Sequence, residues 1–159
     1  MNKLFTNDDS RTQLLLRLTL AAVMFPHGAQ KLLGWFGGYG LDATLGFFGQ
    51  LGIPAPLGVL VILIESVGAV ALALGLGSRI WAAGLIAVMA GAAITVHLPH
   101  GFFMNWSGGQ GGEGFEYHLL AIALSASVVA RGAGAFALED WLRQRLSARR
   151  AGADLVAAE

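Results

Sequence analysis

Between residues 13 and 131 the sequence holds four stretches of about twenty mostly apolar residues, at 13–34, 56–76, 79–98 and 114–131. A bilayer's hydrocarbon core is about 30 Å thick, and a helix needs about 20 apolar residues to cross it. Runs of that length predict an all-α fold: an integral membrane four-helix bundle of up-down topology, with short interfacial helices between its spans. The composition points the same way. The chain is 55% hydrophobic and 13% charged, against roughly 25% charged in soluble domains, and its mean hydropathy is +0.64. Many of its 23 glycines sit inside the apolar runs, which suits closely packed membrane helices and would weaken soluble ones.

Charge and cysteine count remove several function classes. The net charge is zero, so bulk electrostatics draws no nucleic acid to the chain. There is no cysteine, hence no disulfide, thiolate metal site or thiol chemistry of its own. The first residues hold no short apolar stretch ending in a small-residue cleavage site, so no cleaved signal peptide is expected.

The first span carries an unusual load. Arg17, Leu20, Met24, His27 and Lys31 step by threes and fours, which places them on one helix face. An Arg or Lys at the bilayer centre costs about 2.5–3.5 kcal/mol on the gentlest scale. The stripe should therefore face other helices or a wet cavity. Pro26 removes a backbone bond and should kink this helix near Ala22. Residues 35–54 come next, with a short interfacial helix at 41–51 capped by Asp42. Glu65 falls near the middle of the second span. Pro99 ends the third, and a glycine-rich loop leads to the fourth. Residues 136–150 mix Phe136, Trp141 and leucines with arginines, the pattern of a basic amphipathic helix on a membrane surface. The last residues are expected to be disordered. Small residues four apart (Ala69, Ala73, Gly77; Ala83, Ala87, Gly91) allow close helix packing and a homo-oligomer.

Orientation is set by the basic residues. One set of ends carries Lys3, Arg11, Arg79, Arg131 and the arginine-rich tail, and the other carries Lys31. The positive-inside rule then puts both termini in the cytoplasm. The expected organisation is a cytoplasmic segment 1–12, a transmembrane domain 13–132 and a cytoplasmic helix and tail 133–159. With this topology three helices bring ionisable groups to one depth near the outer face: His27, Gln30 and Lys31; His97 and His100; Glu116, Tyr117 and His118. Glu65 lies deeper, and Arg17 lies about 15 Å below His27. Each group also has a structural reading. Lys31 snorkels, Glu65 pairs with Arg17 or His27, His97 caps a helix, and Glu116 sits on a helix dipole. His100 and Glu113 read as loop surface, and Tyr117, Trp35 and Trp106 as interfacial aromatics.

The run Phe25-Pro-His27-Gly28-Ala-Gln-Lys31-Leu32, the Leu51-Gly-Ile-Pro54 turn, Glu65, Leu74-Gly-Leu-Gly-Ser-Arg79 and His97 with Gly101-Phe102 resemble the DoxX family of small bacterial membrane proteins. The resemblance covers about residues 11–141. It implies four transmembrane helices in the inner membrane. It also implies a link to thiosulfate:quinone oxidoreductase subunits, or to membrane oxidoreductase complexes of thiol and oxidative-stress defence.

Three functions fit. The first is a quinone-reactive membrane subunit, with His27, Glu65, His97 and Glu116 as proton donors or relays. Lys31 would steady a charged oxygen, with Gln30, Arg17 and His118 around the ligand. The electrons must then come from a redox partner protein or a bound cofactor, since no flavin or iron–sulfur motif is visible. The second is a metal or haem site drawn from His97, Glu116 and His100. The third is a small-molecule or proton transporter, or an assembly scaffold.

Overall fold

The computed structural model describes residues 10–156, with side chains described as far as Arg149. Lys3, the polar start of the chain and the final residues, expected to be disordered, lie outside the described residues. Six α-helices succeed one another: α1 (Arg11–Leu33), α2 (Gly40–Gln50), α3 (Ala55–Leu74), α4 (Ser78–Ala92), α5 (Glu116–Arg131) and α6 (Leu138–Val156). There is no strand among the described residues. A π-helical turn, Ala93–His97, and a 3₁₀ turn, Leu98–His100, extend α4.

α1 and α4 each pack against both α3 and α5, so the four close into a ring, and α2 lies across α1 and α3. At the centre are Leu20, Met24, Ala69, Leu72, Leu85 and Val128. Outward-facing positions are apolar as well. Leu15, Leu18, Val23, Leu63, Val67, Val70, Ile80 and Leu120 are all exposed. A soluble monomer rarely shows so continuous an apolar surface. Two helical segments are long and apolar enough to cross a bilayer, Ala55–Leu74 and Ser78–His100. The other two expected spans fall short of that test for physical reasons. α1 is long but carries Arg11, Arg17, His27 and Lys31. α5 has 16 residues, about 24 Å of helix. α1 continues through Pro26 as a single helix.

One end of the ring is tied by arginines. The buried Arg17 guanidinium donates to the carbonyls of Leu72 (2.5 Å) and Ala73 (2.8 Å) at the end of α3. It also donates to Ala133 (2.7 Å) and Ala135 (3.4 Å) beyond α5. Arg79, at the start of α4, donates to Val129 and Ala130 in the last turn of α5. A helix leaves its last carbonyls unpaired, and cationic donors are the natural partners for them. Residues 132–135 and 137 are buried against this end. α6 is held there by Glu139, which accepts from the Gly77 amide at 2.7 Å. The segment after residue 132, expected to be a separate cytoplasmic region, is thus seated on the ring where it begins. Farther along α6, Trp141, Leu142 and Leu146 are exposed, and Arg145 stacks on Trp141.

Candidate functional site

The site begins with a glycine. A Cβ on Gly28 would collide with the backbone of Glu65 and Ser66, so only glycine lets α1 and α3 touch there. His27 and Lys31 straddle this contact. The approach brings Lys31 Nζ to 2.5 Å from Glu65 Oε2, with the two side chains 26% and 4% exposed. Lys31, and not Arg17 or His27, is therefore the ion partner of Glu65. Arg17 is occupied at the opposite end of α1, and a single helix cannot offer both cations to one carboxylate.

The second wall comes from the wide turn after α4. In a continuous α-helix His97 would stand on the face opposite Val88. A π turn takes an extra residue per turn and shifts the phase of the residues beyond it. Here Thr95, Val96 and His97 all line the interior beside Val88 and Ala92. The His97 Nδ1 lies 2.8 Å from the Glu113 carbonyl. A carbonyl only accepts, so Nδ1 carries the hydrogen and Nε2 is an acceptor. Its ring lies against that of His118, with centroids 4.2 Å apart. His118 is buried, and its Nδ1 has no hydrogen-bond partner; the Tyr117 hydroxyl is buried and unpartnered too. Tyr117 in turn lies 5.8 Å from the His27 ring.

These groups face a cavity of about 560 Å³, lined by α1, α2, α3, α4 with its π turn, the 101–115 loop and α5. Its polar side chains include His27, Lys31, Glu65, His97, Tyr117 and His118. The remaining walls are mostly Leu, Ile, Val, Met, Phe and Ala. That volume and that balance are typical of small-molecule pockets.

Four residues singled out in the sequence stand apart from the cavity. Glu116 accepts from the Met104 amide (2.9 Å) and the Trp106 indole (3.4 Å), and so fastens the loop. Gln30 donates to the Phe36 carbonyl at 3.1 Å, and Arg17 closes helix ends. His100 packs on the glycine loop, where a Cβ on Gly112 would meet its ring at 2.6 Å. Two residues that the sequence assigns to structural roles do line it. Tyr117 is the second residue of α5, and Glu113 lies just ahead of that helix, its carboxylate accepting from the Asn105 amide (2.6 Å). The neighbouring residues Tyr117 and His118 both reach the cavity because it wraps round the start of α5. The i, i+3 and i+4 rule alone would assign only one of them to it. The donor set suits a metal poorly: among the described residues no three His, Cys, Asp or Glu side chains gather where an ion could sit.

All-helical through its described residues and apolar on its exterior, the chain has the character of a membrane-associated protein, with a cavity that is polar at its buried end. The DoxX family model matches residues 12–98, more than half of the chain. The chain belongs to the DoxX family, a membrane-associated family. No curated protein and no solved structure matches it. The matched segment contains Lys31, Glu65 and His97; the α5 wall of the cavity lies beyond it.

Proposed function

We propose that the chain is a multi-pass inner-membrane protein in which α1, α3, α4 and α5 cross the bilayer. Both termini are cytoplasmic, and the cavity under the outer face binds a quinone. In this reading it serves as the quinone-reactive membrane subunit of an oxidoreductase system. The segment 13–132 is the transmembrane domain, flanked by cytoplasmic 1–12 and 133–159. The observation that carries the reading is the cavity itself. Its walls are apolar enough for a lipid-soluble ring, and its buried end joins an ammonium–carboxylate pair to two imidazoles in contact.

A bound quinone would supply an acceptor for two electrons and two protons. The chain's residues account for the protons and for orientation. Lys31 and the Tyr117 hydroxyl are donors for one carbonyl oxygen, and His118 and His97 face the other. The unpartnered Tyr117 hydroxyl and His118 Nδ1 are polar atoms that a ligand would satisfy, as buried polar atoms require. His97 Nε2 and Glu65 pass protons, since each can gain or lose one. The electrons come from a partner protein; with no cysteine, the chain itself cannot hold a cysteine-ligated iron–sulfur cluster.

Binding is measured by quenching of tryptophan fluorescence on titration with a benzoquinone. Wild-type protein should bind it, and Tyr117→Phe, which removes a hydroxyl donor, should weaken binding about tenfold, the equivalent of one lost hydrogen bond of about 1.4 kcal/mol. Absence of saturable binding to folded wild-type protein rejects the reading.

A further inference from the structure

α3 and α4 form a hairpin whose arms touch near the turn at residues 75–77 and part away from it. Close to the turn, a Cβ on Gly68 would lie 2.8 Å from the Trp81 ring, and one on Gly84 would lie 3.1 Å from Ile64. At the next rungs Leu60 would meet Ala87, and Leu57 would meet Gly91. Instead these residues line opposite sides of the cavity, and a Cβ on Gly91 would have nothing within 4 Å. Exposure rises outward along this path. Glu65 and His118 are 3% and 4% exposed, whereas Leu57 and Leu60 are 48% and 51% exposed. Ala87 and Gly91 are exposed too.

The end beneath the 101–115 loop is covered by contrast. The 101–115 loop covers it with Met104 and Glu113. Its strands of backbone are pinned by Glu116 to Met104, by Glu113 to Asn105 and by the Gly114 amide to the Phe103 carbonyl. The cavity thus opens through an apolar gap in the flank that also carries Val59, Leu63 and Val67.

Resting on the quinone reading above, we infer that the gap between α3 and α4 is a tail channel. The ligand's ring sits at the buried His118 and Glu65 end, and its hydrocarbon chain runs out past Leu60 and Gly91 into the bilayer. The ligand class is a membrane-dissolved quinone with a long chain, not a water-soluble one. Gly91 and Ala87 determine chain selectivity, because their missing or short side chains leave the gap open. Burial of chain methylenes between Leu57, Leu60 and Val61 adds affinity that a bare ring does not gain.

The test compares a benzoquinone bearing a decyl chain with the same ring bearing a methyl group, in detergent-solubilised full-length protein. Wild-type protein should bind the decyl compound more tightly. Gly91→Trp should lower the affinity for the decyl compound at least tenfold relative to the methyl compound. Ala87→Phe, one rung nearer the turn, should do the same, and it serves as the readout should the tryptophan variant fail to fold. Taking the ratio cancels any difference in micelle partition. An unchanged ratio in a folded variant overturns the channel and leaves the ring site standing. Failure of the wild-type protein to bind either compound overturns the ring site, and the channel with it.

Discussion

At the scale of single residues, charge inside an apolar frame must be answered by a partner. Glu65 has Lys31 at 2.5 Å. Removing one member of a fully buried pair costs roughly 3–5 kcal/mol, because the other is left uncompensated. Lys31 keeps about a quarter of its side chain exposed, so Glu65→Gln should cost less, about 2 kcal/mol. The double variant Lys31→Met with Glu65→Gln should recover most of that loss, since it leaves no bare charge. Thermal melts of the three proteins check this, and a double variant less stable than Glu65→Gln sinks the pairing. Arg17 answers a different need. Its flat fork reaches carbonyls from α3 and from residues 133 and 135, a geometry that the single ammonium of lysine cannot copy. Arg17→Lys should therefore cost about 2–4 kcal/mol by leaving buried carbonyls unpaired. Melting temperature reports that loss, and quinone titration of the folded fraction should match wild type, because the cavity lies toward the other end of α1.

Helical spacing made part of this legible. Threes and fours put Arg17, Met24, His27 and Lys31 on one face, and Met24, His27 and Lys31 do share the cavity. Spacing says nothing about which carboxylate or carbonyl waits opposite, because that depends on how closely two helices approach. Gly28 decides the approach, and a lone glycine in a glycine-rich chain carries no visible mark of it. Arg17 shows the same gap. Its partners lie 55 to 118 positions away, where no local pattern reaches.

At the scale of elements, the π turn Ala93–His97 is what brings His97 to the cavity. The sequence reads 79–98 as one uninterrupted helix, since Ala, Ile, Thr and Val have no feature that announces a wide turn. Such a turn behaves like one residue inserted into an α-helix, so it seats His97 about where position 96 would otherwise stand. Ile94, 67% exposed, is the residue the turn can lose. Deleting it should restore a regular helix and leave His97 facing inward. Quinone affinity should then stay within about threefold of wild type, with helix content and melting temperature unchanged or raised. If another feature sets the direction of His97, the deletion turns it by about 100° out of the cavity, and affinity falls by more than threefold. Glu116 is a related case: a carboxylate at a helix start reads as a site residue, yet the loop ahead of it bonds its Oε1.

At the scale of the whole molecule, the two ends differ in kind. One end gathers Arg11, Arg17, Arg79, Arg131 and the start of α6, joined by the carbonyl bonds of Arg17 and Arg79 and by the Ala135 amide on the Ser10 carbonyl. The other end gathers Trp35, Phe36, Tyr39, Phe102, Phe103 and Trp106, all exposed, an aromatic girdle of the kind found at a membrane–water boundary. Translocation disfavours basic residues near span ends, so the arginine end should stay inside and the aromatic end, with its cavity loop, should face out. The chain has no cysteine, which makes the sidedness directly measurable. A cysteine replacing Ser107, exposed in the loop, should react in intact cells with a maleimide that cannot cross the membrane. One replacing Ser147, exposed on α6, should react only after the cells are opened. Equal labelling of both in intact cells would put the loop and α6 on one side and reject the crossing of α5. The reverse order would place the cavity loop on the cytoplasmic side. The protons exchanged by His97 would then be drawn from the cytoplasm.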